Sequence, residues 1–331
     1  MLRFLRESFA EYQPFFDDAG NLVLRVPGQG EPILWSAHTD VVEPCRLLDP
    51  IVADGWIRNR VPNVLGLDNK AAIAAFREAI LVLKESGTPH RPIEIVFTTQ
   101  EETLMRGSRN FSADTVSARE GVLIDAASPI GTIITQSPYS YDLTWSVSGP
   151  TGHIKTLSPD KQYAWQALAE IIARAPFGAM SEATSINWAM VEGGYGRNTI
   201  TDSFVLKGDL RSTSVAEIEQ FLAQERALLE RLRDEYPALS ISESHTETGP
   251  GYSVERDDAW LSKISDGFTA IGIQPTYQTS FGISDANWLR LKGVNVINLG
   301  YGALDTHTAT ERMRLSDLEK MTEFLVTIAQ L

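Results

Sequence analysis

Cysteine is nearly missing from this sequence: Cys45 stands alone among 331 residues. A single thiol forms no intramolecular disulfide and builds no cysteine-rich metal site, so a reducing compartment, the cytoplasm, is expected. Positive charge is scarce as well, with 29 Lys and Arg against 43 Asp and Glu and a formal net charge of −14. Such a surface repels phosphate backbones and anionic headgroups, so nucleic acid and membrane are excluded as expected partners and a small substrate is favoured. Long apolar runs are lacking: no segment reaches the roughly 20 apolar residues of a membrane-spanning helix. The opening MLRFLRESFAEYQPFFDD has neither an unbroken apolar core nor a small-residue cleavage site. Repeats, low-complexity tracts and blocks of like charge are also missing. With 43% hydrophobic and 22% charged residues, the composition is that of a folded globular chain long enough for two domains, or for one domain carrying an insert.

What is present is pattern. In residues 1–136, short apolar runs alternate with helical periodicity. Ile33–Ala37, Ile93–Thr99 and Val122–Ile124 read as buried strands, with a helix from about Lys70 to Ser86 between two of them. This is the α/β arrangement of a mainly parallel sheet. From about Tyr139 the period becomes an alternation, as in Leu143, Trp145 and Val147, which suits a sheet with one solvated face. The spacing predicts strand 141–149, helix 160–175, strands 185–192 and 199–211, helix 214–235 and strand 239–246, in the order βαββαβ. Ser214 and Glu217 at capping-box spacing open the second of these helices, and Tyr236-Pro237 closes it. After HTETGPGY the α/β pattern returns with a helix near Asp258–Ala270, a strand Val294–Leu299 and a last helix that Ser316 and Glu319 would cap. An α/β catalytic domain, residues 1–136 and 251–331, is thus expected to be interrupted by an α+β insert, residues 137–250.

Polar residues at the ends of the predicted strands are candidates for chemistry. His38 and Asp40 sit where ILWSA runs out, the end at which open parallel sheets place ligand-binding groups. An imidazole there would bind a metal through one nitrogen while the carboxylate fixed the other, although a plain polar strand end reads the same way. Asp68, before the long helix, is equally compatible with a helix cap. Glu101 and Glu102 follow IEIVFTTQ directly, where one acid would serve a metal and the other stay free as a base; a solvated turn is the alternative. Asp125 interrupts the apolar GVLIDAA, where an unpaired charge is costly. His307 follows the last apolar strand, in a position open to an ordinary loop histidine. Each signal is weak alone. Together, separated strand ends supplying His, Asp, Asp, paired Glu and His form the oxygen-and-nitrogen donor set of a dinuclear hydrolase.

The segments AHTDVV, GLDNKAAIA, FTTQEE, LIDAASPIGTI, SGPTGHI, GRNTITDSFVLKGDLRS and SDANW…THTATE resemble, in order, those of the M20 family of metallopeptidases. Because FTTQEE is followed by GSRNF and the central motif reads LDNK, the resemblance is greatest to the tripeptidase T branch. It implies an inserted lid and dimerisation domain, a homodimer, and two divalent cations, zinc first with manganese or cobalt as alternatives. His38 and Asp125 would bind one ion, Glu102 and His307 the other, and Asp68 both. Asp40 would orient His38, and Glu101 would be the general base. A cis peptide after Asp68 is implied as well. In the insert, His153 would reach the partner subunit's site, and Asn198 and Arg211 would hold substrate, although Arg211 is also placed to pair with Asp209. The expected reaction is hydrolysis of an amide in a small peptide by metal-activated water. An N-acyl-amino-acid deacylase or a carboxypeptidase on the same scaffold is the alternative, with an inactive binding protein behind both. Gln100 departs from the acid often found before the glutamate pair, and the chain opens at what resembles the second half of the family's usual opening region. His90 and His245 have no family counterpart and are expected to be ordinary surface residues.

Overall fold

Nine strands share one sheet in the unit made of Met1–Ser137 and Tyr252–Leu331; the computed structural model describes residues 1–331. Its centre is parallel, with Ile93–Thr98, Ile33–His38, Glu120–Ala126 and Asn295–Gly300 side by side. Antiparallel strands such as Leu22–Val26 and Thr132–Ser137 extend it on either side. Side chains alternate across a strand, so one apolar run feeds two cores. Trp35, Phe97 and Ile124 face the helices Leu67–Ser86, Ala259–Ala270 and Leu315–Gln330, and pack with Phe76, Trp260 and Phe324. Leu34, Val96 and Leu123 face the other way, onto Phe111, Ala286 and Leu289. Burial on both faces explains why these strands read as unbroken apolar runs, each large side chain contributing about 1.5–3 kcal/mol.

Pro138–Gly251 forms the other unit. Its five-stranded antiparallel sheet has the order Gly178–Ala179, Thr184–Gly193, Ser203–Ser212, Tyr139–Ser148, Ser240–Gly249. Trp145 and Val147 point to one face, where Leu168 and Ile171 of helix Ala164–Arg174 and Leu229 and Leu232 of helix Val215–Glu235 cover them.

Three expectations need correction. The run 199–211 is two strands, Thr199–Ile200 and Ser203–Ser212, each paired with a different partner. The last helix begins at Leu315, so Ser316 lies inside it; Arg314, leaving strand Arg312–Arg314, is the cap position and gives no side-chain cap. His245 is not a plain surface residue. Its Nε2 lies 2.7 Å from Oε2 of the buried Glu225, which also accepts from Trp145 Nε1. Strand alternation does not reveal a carboxylate buried under the sheet by a helix.

Candidate metal centre

The parallel strands deliver their last residues to one edge of the first unit. His38 is the final residue of its strand, Asp125 the penultimate of Glu120–Ala126, and Glu101 and Glu102 follow Ile93–Thr98. Asp68 comes from the start of helix Leu67–Ser86, but it is no ordinary cap. Its φ/ψ of −80°/104° is non-helical, and the peptide joining it to Asn69 is cis, as the resemblance implied. Gly66, two residues before it, has φ +75°, a left-handed conformation that favours glycine in the turn. His307 comes from the loop after Asn295–Gly300 with φ +63°, and Gln100 has φ +56°. Left-handed non-glycine residues cost free energy and gather where structure holds functional groups in place.

The six side chains His38, Asp68, Glu101, Glu102, Asp125 and His307 line one cavity of about 420 Å³. Nε2 of His38 lies 2.9 Å from Asp68 Oδ1 and 3.4 Å from Asp125 Oδ1. Nε2 of His307 lies 3.2 Å from Asp68 Oδ2 and 3.1 Å from Glu102 Oε1. Asp68 therefore gives one oxygen to each of two donor triads, His38–Asp68–Asp125 and Asp68–Glu102–His307, each with ligand atoms within 4.8 Å of one another. Glu101 joins His38 and Glu102 in a third such group.

Asp40 ties these parts together. Its Oδ1 lies 3.5 Å from His38 Nδ1 and accepts the Glu101 N–H at 3.0 Å, while Oδ2 accepts the Glu102 N–H at 3.1 Å. Four further residues escaped the sequence reading. The buried Glu311 accepts the N–H groups of Leu65, Gly66 and Asp68 at 3.0, 2.7 and 3.1 Å, which clamps the His307 segment to the Asp68 turn. Asn69 donates to the Ile124 carbonyl and to Asp125, and Asn298 accepts the Asp125 N–H at 3.1 Å. Asp285, fully buried, accepts from Thr98 and Ser108. The strings LDNK, THTATE and SDANW held all but one of these residues, with nothing local to mark what they bond.

The cluster is short of positive charge. Burial opposes protonation of His38, yet Asp125, Asp40 and Asp68 outweigh it and hold its pKa well above the usual imidazole value. A hydrogen bond to Asp68, with Glu102 nearby, lifts His307 to about 9 against the opposing effect of its burial. Burial, then Asp125 and Asp285, push Glu101 well above the ordinary carboxylate range, and burial pushes Asp125 to about 7. Glu102 Oε1 is buried without a hydrogen bond although His307 Nε2 is 3.1 Å away. Imidazole nitrogens and carboxylate oxygens facing one another over such distances are a donor set that divalent cations complete, so the residues fit the two ions implied by the sequence.

His153, Asn198 and Arg211 belong to the second unit. His153 is exposed, its Nδ1 accepts the Lys155 N–H at 3.2 Å, and it pairs with Thr199 across the short sheet. Asn198 gives its carbonyl to the Ile154 N–H at 2.9 Å. Arg211 donates through Nε to Asp209 at 2.8 Å, the pairing its sequence position allowed.

His38, Glu102 and Asp125 from the ends of parallel strands, Asp68 from a helix start and His307 from a loop thus form two candidate metal-binding triads that share one aspartate. Residues 34–331 match the group described as Peptidase family M20/M25/M40, and the chain belongs to that family, in its peptidase T-like branch. It is 26% identical over 323 residues to Peptidase T of Escherichia fergusonii, covering 92% of this chain and 75% of that one. It is 29% identical over 315 residues to the uncharacterised Bacillus subtilis protein YqjE, covering 94% and 84%. The crystal structure of aminopeptidase PepT from Bacillus cereus superposes with a TM-score of 0.90 at 27% identity, covering 99% of this chain and 91% of that one. No helix is long and apolar enough to cross a membrane.

Proposed function

We propose that the chain is a two-metal aminopeptidase acting on short peptides, with zinc as the native ion and Glu101 as the general base. The carrying observation is the division of Asp68, with Oδ1 beside His38 and Asp125 and Oδ2 beside His307 and Glu102. In this reading His38, Asp68 and Asp125 hold one ion and Asp68, Glu102 and His307 the other. When bound, such a pair polarises the scissile carbonyl and lowers the pKa of water. Glu101 lines the same cavity, its backbone fixed by Asp40. It would take a proton from the attacking water and return it to the departing amine, with no covalent acyl intermediate. Asp40 orients His38 by facing its Nδ1, as carboxylates behind metal-bound histidines do.

Charge supports a substrate with a free amino end. The cavity wall holds no Lys or Arg, and beyond the cluster it is neutral, with Ser137, Gln278, Ser280 and Ile283. Asp40, Asp285 and Glu311 add negative charge behind Asp68, Glu101, Glu102 and Asp125, which the buried Lys70 Nζ beside Glu311, Asp68 and Asp40 and two divalent cations would only partly offset. An ammonium group is favoured there over the carboxylate of an N-acyl amino acid. His153, Asn198 and Arg211 are proposed to contact substrate, His153 from the partner subunit of a cytoplasmic homodimer.

The test is hydrolysis of unblocked tripeptides against their N-acetylated forms, N-acyl amino acids and C-terminally amidated peptides, with metal content measured on the same preparation. Two ions per chain and preference for the free amino terminus are expected. A metal-free active protein overturns the metal assignment, and faster cleavage of N-acyl amino acids establishes the deacylase alternative instead.

A further inference from the structure

At the opposite end of the central sheet lies a second cluster that this reaction does not use. Ile33–His38, Ile93–Thr98 and Glu120–Ala126 start together, and Ile33 lies about 16 Å from His38 at a rise near 3.3 Å per residue. A cavity of about 620 Å³ opens at these first residues, its wall including His90, Arg91, Arg119 and Lys263. Three cations, Arg91, Arg119 and Lys263, share this wall with Glu31 and Glu120, and Arg119 Nη1 also donates to the Ala118 carbonyl at 3.1 Å.

Arg91 is held in place. Its Nε donates to the Glu31 carbonyl at 2.8 Å, and Nη2 donates at 3.2 Å both to the Pro32 carbonyl and to Glu120. Its remaining nitrogen, Nη1, is buried and has no partner. Lys263 Nζ reaches Glu120 at 3.4 Å, and both it and Arg91 lie over the Trp260 ring. Glu120 thus orients two of the cations, and with Glu31 on the cavity wall offsets part of the charge. His90 Nδ1 donates to the Arg91 carbonyl at 2.7 Å, which leaves Nε2 as an unspent acceptor for a P–OH group.

We propose that this cavity binds a phosphate group, as inorganic phosphate or as a phosphate monoester, at a site separate from the metal centre. A carboxylate is satisfied by one forked guanidinium. A third cation and an imidazole acceptor match the extra oxygens and the ionisable proton of a phosphate.

Calorimetric titration of the metal-loaded protein with inorganic phosphate and, separately, with glycerol phosphate tests this at constant ionic strength. Saturable binding is expected in the parent protein, weakened by about tenfold or more in the Arg119→Gln, Lys263→Gln double variant, with unchanged peptide hydrolysis. The tighter probe distinguishes free phosphate from a monoester. Arg119→Gln alone, at an exposed position, must weaken binding even if the double variant folds poorly. Because phosphate also meets metal ions, His307→Ala is titrated in parallel and must retain the site. No saturable binding in the parent protein, or binding that survives both cavity variants and disappears with His307→Ala, overturns the proposal.

Discussion

His38 and His307 present the same nitrogen to the same aspartate, yet the side chain of the first is 1% exposed and that of the second 47%. The difference follows from what carries them. His38 closes a strand with parallel neighbours on both sides, and Asp40 backs its ring. His307 rides on a loop with φ +63°, two residues after Asp305 with φ +55°. One triad is therefore preorganised by the sheet, and the other depends on a loop held by the three backbone bonds to Glu311. Two positions that share a ligand need not hold their ions equally well.

The sharpest way to break this comparison is to remove the chemistry and leave both triads intact. Glu101→Gln should retain two ions and lose on the order of 10²–10⁴ in kcat, the usual range for general-base catalysis. Near-normal turnover would show that the base lies elsewhere.

Glu311→Gln attacks the tie between the His307 segment and the Asp68 turn. Loss of the charge that gathers three N–H groups should weaken the ion at His307 and Glu102 by about 10–100-fold, as is typical when an outer partner is lost. Metal titration reads this directly, and equal weakening of both ions would show that Glu311 serves Asp68 rather than the loop.

Stepwise chelation sharpens the comparison without mutation. The ion at the exposed triad should leave first, so metal content plotted against chelator should pause near one ion per chain. A single two-ion step would show the triads to be equivalent. His307→Ala should begin at that plateau, whereas Asp125→Ala should fall below it, because the sheet-borne triad is the one it damages.

The smallest effect concerns the second unit. If His153 completes the partner's site, mixing Glu101→Gln with His153→Ala chains should restore roughly a quarter of parental activity, since half the dimers are mixed and half their sites intact. Two inactive parents whose verified heterodimers stay inactive would place His153 outside the partner's site.

Much of the site was legible because chemistry and position coincided in the sequence. Polar residues directly after buried apolar runs, as at His38, Glu101 and Glu102, mark where a parallel strand stops, and Asp125 stood out by interrupting one. The supporting residues did not show, because their work is done over long separations and on the backbone. Glu311 bonds amides some 243 to 246 positions away, and the buried partners of Asp285 lie 177 and 187 positions away. Periodicity also misled where a strand runs straight into a helix, as at Arg314, and where a helix brings a carboxylate beneath a strand, as Glu225 does for His245.

The Glu311 clamp also has a bearing on biosynthesis. Four of the five proposed ligands, His38, Asp68, Glu102 and Asp125, precede the insert in the chain, whereas His307 and the clamp that fixes the Asp68 turn follow it. A nascent chain can therefore fold its insert, residues 138–251, before the bridging position exists in final form. A fragment truncated before residue 311 would lack the clamp, so the Asp68 turn takes its final form only once translation has passed that residue.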